Sequence, residues 1–271
     1  MAIITISRGS YSGGKQVAEK VAQKLGYACI SRDILLDASE TFNIPELKLV
    51  RAIHDAPNLL DRFSNGKERY VAYIESALLD LMCEDNIVYH GLAGHFFVQK
   101  VDHALKVRIT AAMQNRVWAE MQANHVSEKE ALKTLKADDD QRRSWSRWLY
   151  GIDTTDASLY DLVIHMERLT PDDAADIICS TVGLSRFTTT EQSRMRLRDL
   201  ALAARVRAAL VDRFPDTVVS AEAGAVRIRV KSSSTSLIGE PVEAEIQELV
   251  ARVKGVTRVA VELKPIMMFD D

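Results

Sequence analysis

The segment that most constrains the fold lies at residues 3–18 and reads IITISRGSYSGGKQVA. An apolar β-type run, Ile3–Ile6, enters a glycine-bearing turn that ends in Gly14-Lys15 and continues into a helical apolar pattern. Glycines let backbone N–H groups turn towards an anion, a helix N-terminus adds partial positive charge, and Lys15 adds a full charge. This arrangement predicts a phosphate-binding loop, or P-loop, rather than a glycine-rich turn that binds nothing.

The loop matches the G-x-x-x-x-G-K pattern at Gly9, Gly14 and Lys15, but it departs from the pattern at the next position. Gln16 stands where a Ser or Thr hydroxyl normally ligates Mg²⁺. A carboxamide oxygen is a poorer ligand for a hard cation. The residues themselves therefore support phosphate binding better than phosphoryl transfer.

Up to about residue 183, short β-rich runs alternate with helical stretches. Two capping patterns, Ser127-x-x-Glu130 and Thr170-x-x-Asp173, predict the starts of two of the helices. The alternation predicts a parallel sheet covered on both faces, with a ligand at the carboxyl ends of its strands. Residues 31–85 form a long, mostly helical insertion, which either covers the site or simply packs. The predicted strands are Ile3–Ser7, Tyr27–Ile30, Asn86–His90, Leu105–Thr110 and Tyr160–His165.

Beyond the alternating region the composition changes. Residues 185–193 are polar and threonine-rich, which predicts a linker. Residues 194–271 follow the order α-β-β-α-β, with a hairpin turn at Glu222–Gly224. The strand Val226–Val230 alternates strictly, so one of its faces should be buried and the other solvated and basic. We therefore expect a small, separate α+β module after the linker.

Composition excludes several classes of function. Lys and Arg number 35 against 38 Asp and Glu, so bulk charge gives no indication of nucleic-acid binding. Cys29, Cys83 and Cys179 form no C-x-x-C pair, which is typical of reduced thiols in a cytoplasmic protein. No apolar run reaches transmembrane length. His90 and His95 lack a third ligand at suitable spacing, so no metal site is predicted.

Three segments resemble the cytidylate kinase-like branch of the P-loop nucleoside monophosphate kinases. The first is the loop and its helix, ITISRGSYSGGKQVAEKVAQKLG, and the second is NIVYHGLAGHFF, at the third-strand glycine motif. The third, DDQRRSWSRWLYGIDTTDASLYDLVI, is the most specific because it reproduces the spacing of the family's lid pattern. The matching positions are Asp139, Arg142, Arg147, Gly151, Asp153, Asp156 and Tyr160-Asp161. The resemblance covers about two-thirds of the chain.

The resemblance implies a P-loop NTPase domain over residues 1–184, a three-layer α/β/α fold with a five-stranded parallel sheet. It implies transfer of the γ-phosphoryl group of ATP, with Mg²⁺, to CMP or dCMP. The residues that it assigns fall into three groups: a phosphate cradle of Ser12, Gly13, Gly14, Lys15 and Gln16; lid cations Arg142 and Arg147, catalytic together with Lys15; and an acceptor site of Arg32, Asp33 and Gly91.

Three departures from the family pattern leave alternatives open. Tyr11 stands where relatives commonly have Gly, Gln16 lacks the usual hydroxyl, and Leu92 stands where relatives often have Arg. One alternative is a nucleotide-binding sensor that no longer transfers phosphate and signals through its C-terminal module. The insertion at residues 31–85, whose role the sequence leaves open, permits a further alternative, a kinase for a small molecule other than a nucleotide.

The C-terminal module resembles a BON domain in its element order and in the phrase GVTRVAV at residues 255–261. That resemblance implies a regulatory partner or ligand, whereas a packing or dimerisation module is the alternative. We expect nucleotide substrates, no nucleic acid, and a second copy of the chain or a regulatory protein as partner of this module.

Overall fold

The computed structural model describes residues 2–31, 66–91, 93–232 and 240–265. By its contacts the chain divides into two compact units. The first comprises the described residues of 1–37 and 84–193, and the second those of 38–83 and 194–271. Among the described residues, no helix has both the length and the apolar character needed to cross a membrane.

A five-stranded sheet forms the centre of the first unit, and every neighbouring pair of its strands is parallel. The strands lie in the order β2-β3-β1-β4-β5. The predicted fold class is therefore confirmed, and the predicted strands differ from the observed ones by one or two residues at their ends. The strands are β1 (Ile3–Arg8), β2 (Ala28–Ser31), β3 (Ile87–His90), β4 (Ala104–Ala111) and β5 (Leu162–Met166).

Strand β1 is central because both of its faces are buried. Its first four residues are at most 1% exposed, and the fifth, Ser7, is 5% exposed. A strand covered on both faces reads as a continuous apolar run, as residues 3–6 do. Near its carboxyl end, β1 pairs Ile6 with His90 and Arg8 with Ile109, which places the carboxyl ends of β3 and β4 beside the P-loop.

Helices connect the strands of this unit. The first helix buries Val17, Ala18 and Val21 in the same core as the sheet residues. Both predicted capping boxes are present, at Ser127–Glu130 and at Thr170–Asp173. The helices described between residues 1 and 183 are α1 (Gly14–Leu25), α2 (Gly66–Met82, in the second unit), α3 (Gly94–Phe97), α4 (Met113–Asn124), α5 (Glu128–Tyr150) and α6 (Pro171–Val182).

The C-terminal residues have the predicted α-β-β-α-β order. Strands β6 and β7 are antiparallel, whereas β7 and β8 are parallel, and the inner face of β7 packs on both helices. The hairpin turn places Ala223 and Gly224 at φ values of 46° and 84°, which fits a two-residue turn with positive φ at both positions. The elements are α7 (Glu191–Leu210), β6 (Thr217–Glu222), β7 (Ala225–Ser232), α8 (Glu240–Ala251) and β8 (Arg258–Pro265).

Two features differ from the sequence-based expectation. Helix α7 begins at Glu191, so the last residues of the predicted linker 185–193 are helical. The C-terminal residues also do not form a module of their own, because α2 belongs to the same compact unit. The domain bounds 1–184 and 194–271 and the BON resemblance stay predictions.

Where the structure describes both partners, three ion pairs join α2 to the C-terminal residues. The Arg69 Nε lies 2.7 Å from an Asp212 carboxylate oxygen, Arg207 Nη1 lies 3.1 Å from Glu75 Oε2, and Arg205 Nη1 lies 2.5 Å from Asp80 Oδ1. From the start to the end of α2 the residue numbers increase, whereas those of the partners decrease from 212 to 205. Helices α2 and α7 therefore run antiparallel. Burial raises the pKa values of Glu75 and Asp80, against the opposing effect of their arginine partners.

We expect a charge swap to reveal the Glu75–Arg207 pair. Glu75→Arg or Arg207→Glu alone should lower the free energy of unfolding by about 2 kcal/mol, because the pair is largely buried and like charges then meet. The double swap should recover most of that loss in urea denaturation. Reversing the exposed Arg252–Glu248 pair should change stability by less than about 0.5 kcal/mol. A strictly additive double swap would contradict the pairing.

Candidate functional site

The loop between β1 and α1 has the conformation that a P-loop needs. Gly13 has φ 77° and precedes the first turn of α1, whose backbone N–H groups have no acceptor inside the helix. The Ser12 hydroxyl donates to the Gly9 carbonyl oxygen at 2.9 Å, which closes the loop on itself. Tyr11 has φ 52°, a left-handed conformation that favours glycine over a residue with a bulky side chain.

Close packing explains the glycine at the start of α1. A Cβ atom on Gly14 would lie 2.6 Å from Cβ and 2.8 Å from Cδ of Arg8, which is too short for any real contact. The Arg8 side chain therefore lies directly over the helix N-terminus. In the sequence pattern, Gly14 lets the backbone come close to a phosphate. In the structure, Gly14 is also required because the Arg8 side chain leaves no room for a Cβ atom.

A cavity of about 130 Å³ opens beside the loop, at the carboxyl ends of β1, β3 and β4. In the described part of the chain, its ionisable lining residues are five arginines and a single carboxylate, that of Asp139. Such an excess of positive charge in a concave site favours an anion, and several guanidinium groups suit a phosphorylated one. The arginines are Arg8, Arg108, Arg116, Arg142 and Arg143.

One of these arginines fixes the loop. Arg116 is 7% exposed and makes two bonds to the Asp139 carboxylate, of 2.7 and 2.8 Å. Its Nε donates to the Ser10 carbonyl oxygen at 2.8 Å. The guanidinium thus joins the P-loop, α4 and α5, so Arg116 positions the loop rather than binding phosphate.

The Ser10 hydroxyl makes a second connection to α5. It donates to Asp138 Oδ2 at 2.8 Å and accepts from Arg142 Nη2 at 3.3 Å. Arg142, a predicted lid cation, therefore lies at the cavity and contacts the loop. The other predicted lid cation, Arg147, does not line the cavity: its side chain is 60% exposed and lies 2.6 Å from Asp153.

Hydrogen bonds within its own turn make Asp153 strongly acidic. The backbone N–H and the hydroxyl of Thr155 donate to its carboxylate, and Arg147 adds a smaller effect. Together they lower the pKa of Asp153 to about 2. The motif residues Arg147 and Asp153 thus stabilise the turn after α5, which presents Thr154 and Thr155 to the cavity.

The structure brings together only some of the residues predicted for the site. Ser12 and Gly91 line the cavity, and Gly13, Gly14 and Gln16 belong to the loop and the first turn of α1. Lys15 is 65% exposed, lies 3.8 Å from Glu19, and does not line the cavity. Predicted acceptor residues Arg32 and Asp33, like Leu92, lie outside the described residues.

Sequence reasoning missed Arg108 and Arg116. Arg108 lies in the middle of β4, where an arginine within a buried apolar run is unusual enough to signal a site. Its Nη1 donates to the Thr154 carbonyl and to the Tyr160 hydroxyl. Arg116 lies on the first turn of α4, and its role depends on Asp139 of another helix, which no local pattern reveals.

A buried histidine lies beside Tyr160. His95 is 1% exposed, and burial, with smaller effects of Arg108 and Lys106, lowers its pKa to about 3. Its ring lies 4.7 Å from that of Tyr160. Within the described ranges, no three His, Cys, Asp or Glu side chains are grouped to hold a metal ion.

A model of the cytidylate kinase-like family matches residues 3–168, more than half of the chain and the whole of this cavity. The chain belongs to the cytidylate kinase-like family. The cytidylate kinase of Sulfolobus acidocaldarius is 28% identical over 183 residues, which cover 66% of this chain and 93% of that protein. The cytidylate kinase of Natronomonas pharaonis is 27% identical over 192 residues, which cover 67% and 89%.

Among solved structures, an uncharacterized protein from Eubacterium ventriosum has a similar fold, with a TM-score of 0.53 and 19% identity. The match covers 67% of this cytidylate kinase-like chain and 98% of the other. The similarity shows the fold alone. Both kinds of match leave about a third of this chain beyond the compared region, and the family match ends before the C-terminal elements begin.

We expect Asp139→Asn to destabilise the protein by about 3 kcal/mol, because it leaves the buried Arg116 guanidinium without its carboxylate. Chemical denaturation measures the loss. Asp140→Asn is the matched control, because Asp140 is 75% exposed and its long ion pair with Arg143, at 3.9 Å, lies at the surface. This control should lower the free energy of unfolding by less than about 0.5 kcal/mol. Equal losses of stability in the two variants would refute the conclusion that Asp139 is the buried counter-ion of Arg116.

We expect His95 to contribute a pH dependence of stability. Its pKa of about 3 lies below the ordinary 6.5, so the unfolded state binds more protons as pH falls through 6.5. The contribution is complete above pH 6.5 and is lost progressively towards pH 3. Between pH 7 and 5 the free energy of unfolding of wild type should fall by about 2 kcal/mol more than that of His95→Phe. If the free energy of unfolding fell equally with pH in wild type and in His95→Phe, this role of His95 would be ruled out.

Proposed function

We propose that this member of the cytidylate kinase-like family transfers the γ-phosphoryl group of ATP to a nucleoside monophosphate, CMP or dCMP. The observation that carries the proposal is the arginine-lined cavity beside a P-loop at the carboxyl ends of parallel strands. Named cytidylate kinases among the relatives, aligned over two-thirds of the chain, support the choice of acceptor.

The residue types suit this chemistry. Phosphoryl transfer needs little covalent participation by the protein; it needs two substrates in line and cations around negative charge that spreads in the transition state. We assign the donor phosphates to the cradle of Ser12–Gln16 at the N-terminus of α1. Arg142 would stabilise the transferred group, with Lys15 and Arg147 as the further cations that the family pattern assigns. Arg32, Asp33 and Gly91 would face the acceptor.

The loop also suits a magnesium nucleotide. Mg²⁺ keeps several waters and is usually held by substrate phosphates and one or two protein oxygens, so it does not require a cluster of carboxylates. The Ser10 hydroxyl of the P-loop donates to Asp138 at 2.8 Å, so these side chains would offer oxygens to such an ion. When bound, Mg²⁺ would neutralise phosphate charge, and the arginines of the cavity would align the remaining oxygens.

A second candidate is a nucleotide sensor that signals through the C-terminal residues. Two observations favour it: Tyr11 adopts a left-handed conformation within the P-loop, and α2 shares a contact unit with the C-terminal elements. A regulatory partner or a second copy of the chain would then act through the C-terminal module. Binding without turnover separates this candidate from the kinase.

The decisive experiment is ADP formation from MgATP with a panel of nucleoside monophosphates. We expect turnover with CMP or dCMP, and a loss on the order of 100-fold in Lys15→Ala because a phosphate-binding cation is removed. The matched control is Lys20→Ala on the same helix, which removes only the surface pair with Asp172 and should leave turnover unchanged. ATP binding without turnover for any acceptor would favour the sensor and overturn the kinase proposal.

A further inference from the structure

Among the described residues, Arg108 has no carboxylate partner, whereas Arg116 has Asp139. Its Nη1 donates to two neutral oxygens, the Thr154 carbonyl and, at 3.2 Å, the Tyr160 hydroxyl. In the ranges that the structure describes, no Asp or Glu lies within ion-pair distance of Arg108. A half-buried guanidinium without a counter-ion is a ready site for an anion.

The guanidinium is held in place before any ligand arrives. It lies 5.6 Å from the centre of the Tyr160 ring, a cation–π distance. The Tyr160 hydroxyl in turn donates to the Thr154 carbonyl at 2.9 Å and lies 3.3 Å from Ser7 Oγ. Tyr160 is 8% exposed, so packing fixes it. An arginine held in this way loses little side-chain entropy on binding.

Within the described part of the chain, the hydrogen bonds of Arg108 to other residues involve Nη1 alone, so Nε and Nη2 retain their N–H donors for a ligand. Two parallel N–H groups of a guanidinium match two oxygens of a phosphate. Lysine could supply the charge but not this paired geometry. The free edge of Arg108 therefore suits a phosphate group better than a single-atom anion.

Its place in the cavity indicates which phosphate. Arg108 pairs with Ser7 across β4 and β1 and lines the cavity together with Gly91, which follows β3, and with Thr154. The helix N-terminus and the P-loop supply the donor side. The turn after β3 is the predicted acceptor side, and its sequence, Gly91-Leu92-Ala93-Gly94, holds no cationic side chain.

We propose that Arg108 binds the phosphate of the acceptor monophosphate, so that β4 supplies the cation that the turn after β3 lacks. The inference rests on the proposed kinase function and adds the residue that recognises the acceptor's phosphate. Tyr160 is a positioning residue for it, because it holds the guanidinium and does not itself reach the ligand.

Steady-state kinetics of Arg108→Met and Arg108→Lys test the proposal. We expect the KM for CMP to rise about 100-fold in Arg108→Met, the size typical of a lost charged hydrogen-bond pair, and the KM for MgATP to change less than twofold. Arg108→Lys should be intermediate, which guards against a folding defect. The exposed Arg168→Met is the matched control and should change neither constant.

Binding of CMP and of cytidine, measured by calorimetry without ATP, isolates the phosphate. Wild type should prefer CMP to cytidine, and Arg108→Met should lose about 100-fold of that preference while its affinity for cytidine stays the same. An unchanged preference, or a rise in the KM for MgATP instead of CMP, would overturn the Arg108 proposal and leave the kinase standing. Absence of both CMP binding and turnover in wild type would overturn both proposals.

Discussion

The bidentate pair between Arg116 and Asp139 is the interaction on which the site depends. It is nearly buried, and the same guanidinium donates to the carbonyl oxygen of Ser10. A P-loop binds phosphate through backbone N–H groups, so its function requires one fixed backbone conformation. Here that conformation is set by side chains from two helices that lie more than 100 positions further along the chain.

The sequence predicted the frame well because the frame depends on local patterns. Continuous apolar runs identify strands buried on both faces, the β1–loop–α1 segment has its own glycine pattern, and both capping boxes follow from pairs of residues three positions apart. These signals are complete within a few residues. The five-stranded sheet and the helices that cover it could therefore be predicted from the sequence.

The chemistry of the cavity could be predicted only in part. Arg142 reaches it, but Lys15 and Arg147 are turned towards Glu19 and Asp153, since each has an acidic neighbour close by in sequence. Arg108 and Arg116 enter the cavity through the register of β4 and the packing of α4. No local motif shows which residues of β4 pair with β1, or which helix packs against α4. The pairing of α2 with α7 could not be predicted for the same reason.

The partnership of α2 with the C-terminal residues has a consequence for biosynthesis. Tyr73 and its hydrogen-bond partner Asp212 are 139 positions apart. At ribosomal rates of about 5–20 residues per second, α2 waits for roughly 7–28 s before that partner is made. The second unit can therefore be completed only after the parallel sheet of the first unit has been synthesised. A ribosome that stops before residue 205 leaves a nascent chain in which α2 lacks its charge partners Arg205, Arg207 and Asp212.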